Sequence, residues 1–192
     1  MIIAKQNPVE LDVVVARIQK VIHNAFDVKW STNPPGPTKK DGIICYPRCY
    51  QVIRKGHKYI EYFDSAESNS YNKDYQDIID SEQNRMVILN DDYEIVNETD
   101  NGNFKSTYLD VIFIVDLSTT HPTVLHRADE EVRAEVVKEL EKIPNVTVYK
   151  SVRKLNKIFG DIKYDPIIDL HPSHCFKVVL HVDRFSKREK IC

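Results

Sequence analysis

Glycine is scarce in this chain: there are five in 192 residues, and none lies between Phe104 and Lys157. A backbone that wraps a phosphate needs glycine to turn successive N–H groups inward, so the main strand-to-helix passage is no phosphate loop. No apolar run approaches the roughly 20 residues of a membrane helix. A Gly-x-Ser-x-Gly elbow is missing, and no cysteine lies in a recognisable nucleophile signature, which leaves hydrolase chemistry of that kind without a carrier. An excess of either charge is missing too. With 27 basic residues against 29 acidic, the formal charge is −2, which gives no reason to expect a nucleic-acid binder. The opening Met1-Ile-Ile-Ala-Lys5 has neither the basic start nor the apolar stretch of a secretory leader. Cys45, Cys49, Cys175 and Cys192 are therefore expected to be reduced thiols of a cytoplasmically made protein.

The chain is organised around residues 105–143. Tyr108 to Leu117 is its longest apolar run, dominated by β-branched and aromatic residues with acids only at Asp110 and Asp116, and it predicts a strand buried on most of both faces. After His121-Pro122 the period changes to that of a helix. Val132, Val136, Val137, Leu140 and Ile143 share a face, and Asp129, Glu130 and Glu131 crowd the first turn, where they complement the helix dipole.

Before this stretch, Asn7-Pro8-Val9-Glu10 has the parts of a helix start, with Asn7 as N-cap and Pro8 in the first turn. That helix is expected to run to about Asn24, burying Val14, Ile18, Val21, Ile22 and Ala25. Ser31 to Thr38 holds three prolines and a glycine, which reads as a connector. Asp41 to Arg54, a Lys55-Gly56 turn and Lys58 to Phe63 predict a hairpin, with Pro47 at an edge or bulge because it cannot donate to a ladder. Residues 64–104 read as an acidic hairpin arm inserted in the single domain 1–192, with its tip near Glu67 to Asn72. Asp100 to Asn103 gives a turn signal. After the central helix come a short extended piece at Val146 to Tyr149, a short helix capped by Ser151 and closed by Gly160, irregular chain over 161–175, and a last strand at Phe176 to Asp183. This order predicts an α+β fold: a mainly antiparallel sheet, helices packed on one side and a projecting hairpin arm.

Charge is unevenly placed. Residues 64–101 carry eleven acids against Lys73 and Arg85, whereas residues 1–63 carry ten bases against five acids and residues 138–192 twelve against seven. A solvated loop accounts for the acidic segment simply. The sharper reading pairs one copy's acidic segment with another's basic surface.

Three constellations bear on chemistry. Cys45, Cys49, His171, His174 and Cys175 supply zinc-type donors, but residues four apart on a strand lie roughly 13 Å apart, too far to share one ion. Asp110, Asp116 and Glu61 could hold magnesium as nuclease carboxylates do, although no third acid with a following lysine stands at nuclease spacing. Lys177, Arg184, Lys187, Arg188 and Lys190 could touch phosphates, yet only Phe185 interleaves with them as a stacking aromatic. No metal, cofactor or catalytic residue is assigned.

The helix, the proline-rich connector, the hairpin with its long loop, the LDVIFIVDL strand, the ADEEVRAEVVKEL helix and the terminal FKVVLHVDRF strand together resemble the tail terminator and neck ring proteins of tailed bacteriophages. The resemblance lies in the order and character of elements over most of the chain, without a diagnostic motif. It implies a non-enzymatic virion subunit, made in the host cytoplasm, that forms a homo-oligomeric ring at the head-to-tail junction. Such a ring contacts neighbouring neck, portal-adaptor or tail proteins and lets DNA through without specific binding, and no membrane is involved. Candidate interface residues are Tyr71, Tyr75, Asp77, Asp80, Tyr93 and Glu94 in the arm, with Arg184, Lys187 and Arg188 near the end of the chain. A metal-dependent nuclease-like enzyme and a small adaptor binding one host protein through the arm are the alternatives.

Overall fold

The structure, a computed structural model, describes residues 2, 3, 5, 8–30, 42–63, 75–77, 84–99, 102–123, 128–164 and 169–187. Helix α1 spans Leu11–Trp30, and Leu11, Val14, Val15, Ile18, Ile22, Phe26 and Trp30 are buried at the spacing of one helical face. It begins later than the Asn7-Pro8 signal suggests. Glu10 stands at φ 47°, a left-handed conformation that α-helix cannot pass through. It also runs past Asn24, because Phe26 and Trp30 continue the apolar stripe and stack at 4.3 Å between ring centroids. The proposed cap Asn7 and the proline-rich connector lie outside the described residues.

Seven strands form one open sheet: β1 Ile44–Arg54, β2 His57–Phe63, β3 Tyr75–Asp77, β4 Arg85–Thr99, β5 Gly102–Asp116, β6 Val146–Val152 and β7 Ser173–Lys187. Their order is β3-β2-β1-β4-β5-β7-β6. Only β1 and β4 pair in parallel; the other pairs are antiparallel. The β1–β2 turn uses Lys55 at φ 48° and Gly56 at φ 79°, the two left-handed positions that match strand twist. Pro47 falls where the β1–β4 register shifts, between Cys45 and Arg48, as its missing N–H requires. The expected central strand is β5, which buries Leu109, Val111, Phe113 and Val115 on one face and Ile112 on the other.

Helices cover the sheet's middle. Helix α3, Asp129–Leu140, joins α1 on one face through Val132, Val136, Leu140 and the following Ile143. On the opposite face the short α4, Leu155–Phe159, lays Ile158 and Phe159, with Ile162, onto Tyr46, Tyr62, Leu89 and Ile112. The architecture is α+β with a mainly antiparallel sheet, as the sequence order implies, but helices lie on both faces instead of one, because β4 and β5 bury apolar side chains on each, and Arg85–Thr99 of the expected arm 64–104 is sheet strand β4 between β1 and β5. Ser151 does not cap α4: it lies within β6, and Lys154 holds the cap position without a side-chain hydrogen bond. The polar turn after β5 contains a four-residue helix, α2, Leu117–Thr120, where the Asp116 carboxylate accepts from the Ser118 N–H at 2.8 Å. Asn84 ties this corner together. Its amide donates to the Gly42 carbonyl at 2.9 Å, and its oxygen accepts from the Asp116 N–H at 2.7 Å.

Phe113 and Phe176 are cross-strand partners, fully buried and stacked at 5.1 Å. Phe113→Ala is expected to cost about 3–5 kcal/mol in urea unfolding. The control Ile53→Thr, at an exposed position of β1, should stay within about 0.5 kcal/mol.

Candidate functional site

Three strands continue past the helices. Glu94–Thr99 of β4 pairs with Gly102–Thr107 of β5, which pairs in turn with Val182–Lys187 of β7. Strand alternation sends successive cross-strand rows to opposite faces. Ile95, Ser106 and Asp183 form one row, and Val96, Lys105 and Arg184 form the next, on the α1 side. Ile95 is 45 % exposed, Val96 47 % and Phe104 38 %, so this end of the sheet shows apolar side chains on both faces. Nearer the middle, on the α4 side, Tyr108 makes edge contacts with the exposed Tyr149 at 5.5 Å and with His181 at 5.0 Å.

Where these strands meet the start of α1 there is an open cleft of about 370 Å³. Val13, Val14 and Arg17 of α1, Lys105 of β5, the Pro144-Asn145 turn after α3 and Asp183 and Arg184 of β7 line it, with Glu10 at its rim. Asn145 takes φ 63°, and its carbonyl accepts from the Asp183 N–H at 3.0 Å, which fixes the turn against the strand. The Glu10 carboxylate stands 3.6 Å from both Lys105 Nζ and Arg184 Nη1. Burial, and the nearby Arg48, disfavour the charge on Arg184, while Glu10 supports it. Below the cleft, the buried Asp12 carboxylate is ion-paired with Lys5 and with Arg48 Nε at 3.0 Å. The whole is a cluster of both charges beside the apolar side chains of Val13, Val14 and Pro144.

Of the nine residues singled out as an interface, Arg184 lies in this cleft. Tyr75 and Asp77 belong to β3, paired by register with Phe63 and Glu61, at the far end of the sheet order. Tyr93 and Glu94 fall in β4, where the ladder to β5 shifts register between Asn90 and Glu94. Lys187 ends β7 opposite Gly102. Tyr71, Asp80 and Arg188 lie outside the described residues. Sequence reasoning missed Arg17, Lys105 and Glu10. The alternation Lys105, Thr107, Leu109 on β5 against Arg184, Val182, Leu180 on β7 carried the signal for the Lys105–Arg184 row, but only once the two strands were taken as partners.

The chemical constellations disperse. Cys45 packs in the core under α1, whereas Cys49 and Cys175 pack in the core under α4. His174 is buried against Phe176 with Nδ1 3.2 Å from Asp169, and His171 is exposed. Among the described residues, no three His, Cys, Asp or Glu side chains come together as metal ligands. Asp110 accepts from Lys177 Nζ at 2.6 Å, Asp116 caps α2, and Glu61 pairs with Arg54. Asp110 and Asp116 are six residues apart on one strand, roughly 20 Å, and cannot share an ion. Lys177 is buried and is not a surface cation.

No protein-family model matches the chain, and no curated protein matches it.

Burial pushes the Cys45 and Cys49 thiols up to about 12 and also raises that of Cys175. Folded thiols keep protons that unfolded ones lose above the ordinary value of 9.0, so stability falls as pH rises past it. Titration with a chromogenic disulfide at pH 8 should find Cys45, Cys49 and Cys175 slow, and all three fast after denaturation. The fall in urea midpoint above pH 9 should be shallower in Cys45→Ala.

Proposed function

We propose that this chain is a non-enzymatic structural subunit that assembles with copies of itself into a ring at the head-to-tail junction of a tailed phage, bridging adjoining neck or tail components and leaving a channel for DNA. One observation carries the self-association: the three-stranded end of the sheet, which shows Ile95, Val96 and Phe104 to solvent. Strand of this length gains little at home once the helices stop, but it gains when another copy covers it. The open sheet, ending in β3 on one side and β6 on the other, adds two unlike edges. Unlike surfaces meeting head to tail are what a cyclic assembly larger than a dimer requires. The place at a phage neck rests on the resemblance in element order.

Purified protein at high concentration, alone or with partner virion proteins, is expected to give a defined oligomer by size exclusion with light scattering and rings in negative stain. The double variant Ile95→Glu, Phe104→Glu should be monomeric, with a melting temperature within about 3 °C of the parent because both positions are exposed. A parent chain that stays monomeric under all these conditions removes the proposal.

A further inference from the structure

We infer that the bare part of the α4-side sheet face, carried by Ile95, Phe104, Tyr108 and Tyr149, is a contact with a second copy, and that it pairs with the same face of that copy about a two-fold axis. This rests on the self-association proposed above and names the surface that meets and its partner. The β5–β7 ladder runs without a shift from Gly102 to Asp116, so Phe104, Ser106, Tyr108, Asp110 and Ile112 point to one face. Ile112 lies under α4 in the core. Ile95 sits opposite Ser106 and faces the same way. Tyr149 sets its ring against that of Tyr108 at 5.5 Å. Past the cover of α4, one face of the sheet therefore shows an apolar and aromatic field.

Chemistry and shape select the occupant. Among the described side chains of this face, Asp110 is paired with Lys177, Asp183 stands 3.7 Å from His181, and Lys150 lies over the Tyr149 ring at 5.4 Å. No cation surplus is there to hold phosphates. Among the described residues nine large apolar side chains are exposed, and Ile95, Phe104 and Tyr149 are the three that share a sheet face. Tyr50 and Ile53 stand on opposite faces of β1, Val96 points to the α1 side, and Val9, Val28 and Leu170 lie off the strands. The described surface that matches this field is the field itself, on another copy. Helix α4 covers the same face toward Ile112 and Lys177, and a helix layer is about as thick as the roughly 10 Å gap between packed sheets. A copy turned end for end lays its bare strands on these and sets its own α4 past their ends, so each step fits the other. The row of Ile95 and Ser106 lies midway between Phe104 and Tyr108. An axis over that row brings Ile95 to Ile95 and Phe104 to Tyr108, and an assembly that adds this pairing to a head-to-tail contact holds an even number of copies.

Cross-linking and charge exchange at Ile95 in the full-length chain test this. In a Cys192→Ser background, Ile95→Cys treated with a short bis-maleimide should give a covalent dimer and nothing larger, whereas Ile53→Cys, at a more exposed position on β1, should stay uncoupled. By sedimentation equilibrium, Ile95→Glu and Ile95→Lys should each weaken pairing on the order of tenfold or more, and an equimolar mixture of the two should pair on the order of tenfold more tightly than either alone. That gain belongs to a two-fold contact, in which each Ile95 meets its own counterpart; in a head-to-tail contact mixing gains nothing. Ile95 is exposed, so these substitutions leave the fold intact. No coupling of Ile95→Cys, equal coupling of Ile53→Cys, or no gain on mixing overturns the pairing while leaving a ring observed in negative stain standing. Coupled dimers with the mixing gain, from a chain that never forms rings, support the pairing and remove the ring.

Discussion

Covering β4 and β5 on both faces is the constraint from which the remaining architecture follows. Met86, Ile88, Leu109, Val111 and Phe113 require apolar partners on one side, and Val87, Leu89 and Ile112 require them on the other. Helices α1 and α3 meet the first demand and α4 the second. Helix length then sets a limit. At 1.5 Å per residue α1 reaches roughly 30 Å and α3 roughly 18 Å, whereas the 15-residue strands β4, β5 and β7 extend close to 50 Å. The strands must overrun their cover, and they do so at the Glu94, Thr107 and Val182 end. On the α4 side the boundary is marked by Lys177, whose ammonium reaches Asp110 at 2.6 Å and stands 3.5 Å from the Ile158 carbonyl. Past this pair the face turns to Tyr108, His181 and Asp183, and backbone pairing is what holds the strands together.

Much of this order was legible in the residues, for reasons local to each element. Strand β5 declares itself because residues buried on both faces leave a continuous apolar run, and α3 because its acids and valines separate at helical spacing. Pro47 marks the bulge, since a residue without an N–H can occupy few places in a sheet. The failures have equally local causes. The Asn7-Pro8 signal was overridden by the backbone of Glu10, which no propensity for glutamate foretells. Helix α2 is too short for periodicity and depends on one aspartate. Strand β4 was hidden within the expected arm because Asp91-Asp92 interrupts its apolar pattern, yet the ladder resumes beyond them with a shifted register. The cleft was illegible for a different reason. Its cations are 79 residues apart in Lys105 and Arg184 and adjacent only through the β5–β7 register, a long-range fact that single-strand patterns do not contain.

The charge asymmetry along the sequence is partly folded together by the sheet. An acidic stretch and a basic cleft are common on any protein of balanced charge, and exposed pairs contribute little one by one. Here Arg17, Lys105 and Arg184 line one cleft together with Glu10 and Asp183, and Asp91, Asp92, Glu94 and Glu98 of the acidic segment stand on β4, the strand beside β5.

Twist decides what repeated head-to-tail contact builds. Neighbouring strands rotate by roughly 20–25°, so the six steps from β3 to β6 turn one edge against the other by on the order of 120–150°. In the assembly proposed above, copies joined from the β3 edge of one to the β6 edge of the next would not lie in a flat ribbon. Each addition changes direction by the same amount, and a constant turn at each contact gives a closed ring or a helix. The apolar positions Ile95, Val96 and Phe104 lie on the same three strands as the cleft, beyond or beside it. Val96 shares its row with Lys105 and Arg184, whereas Ile95 and Phe104 face the other way, so covering all three takes a neighbour on each face of this end of the sheet.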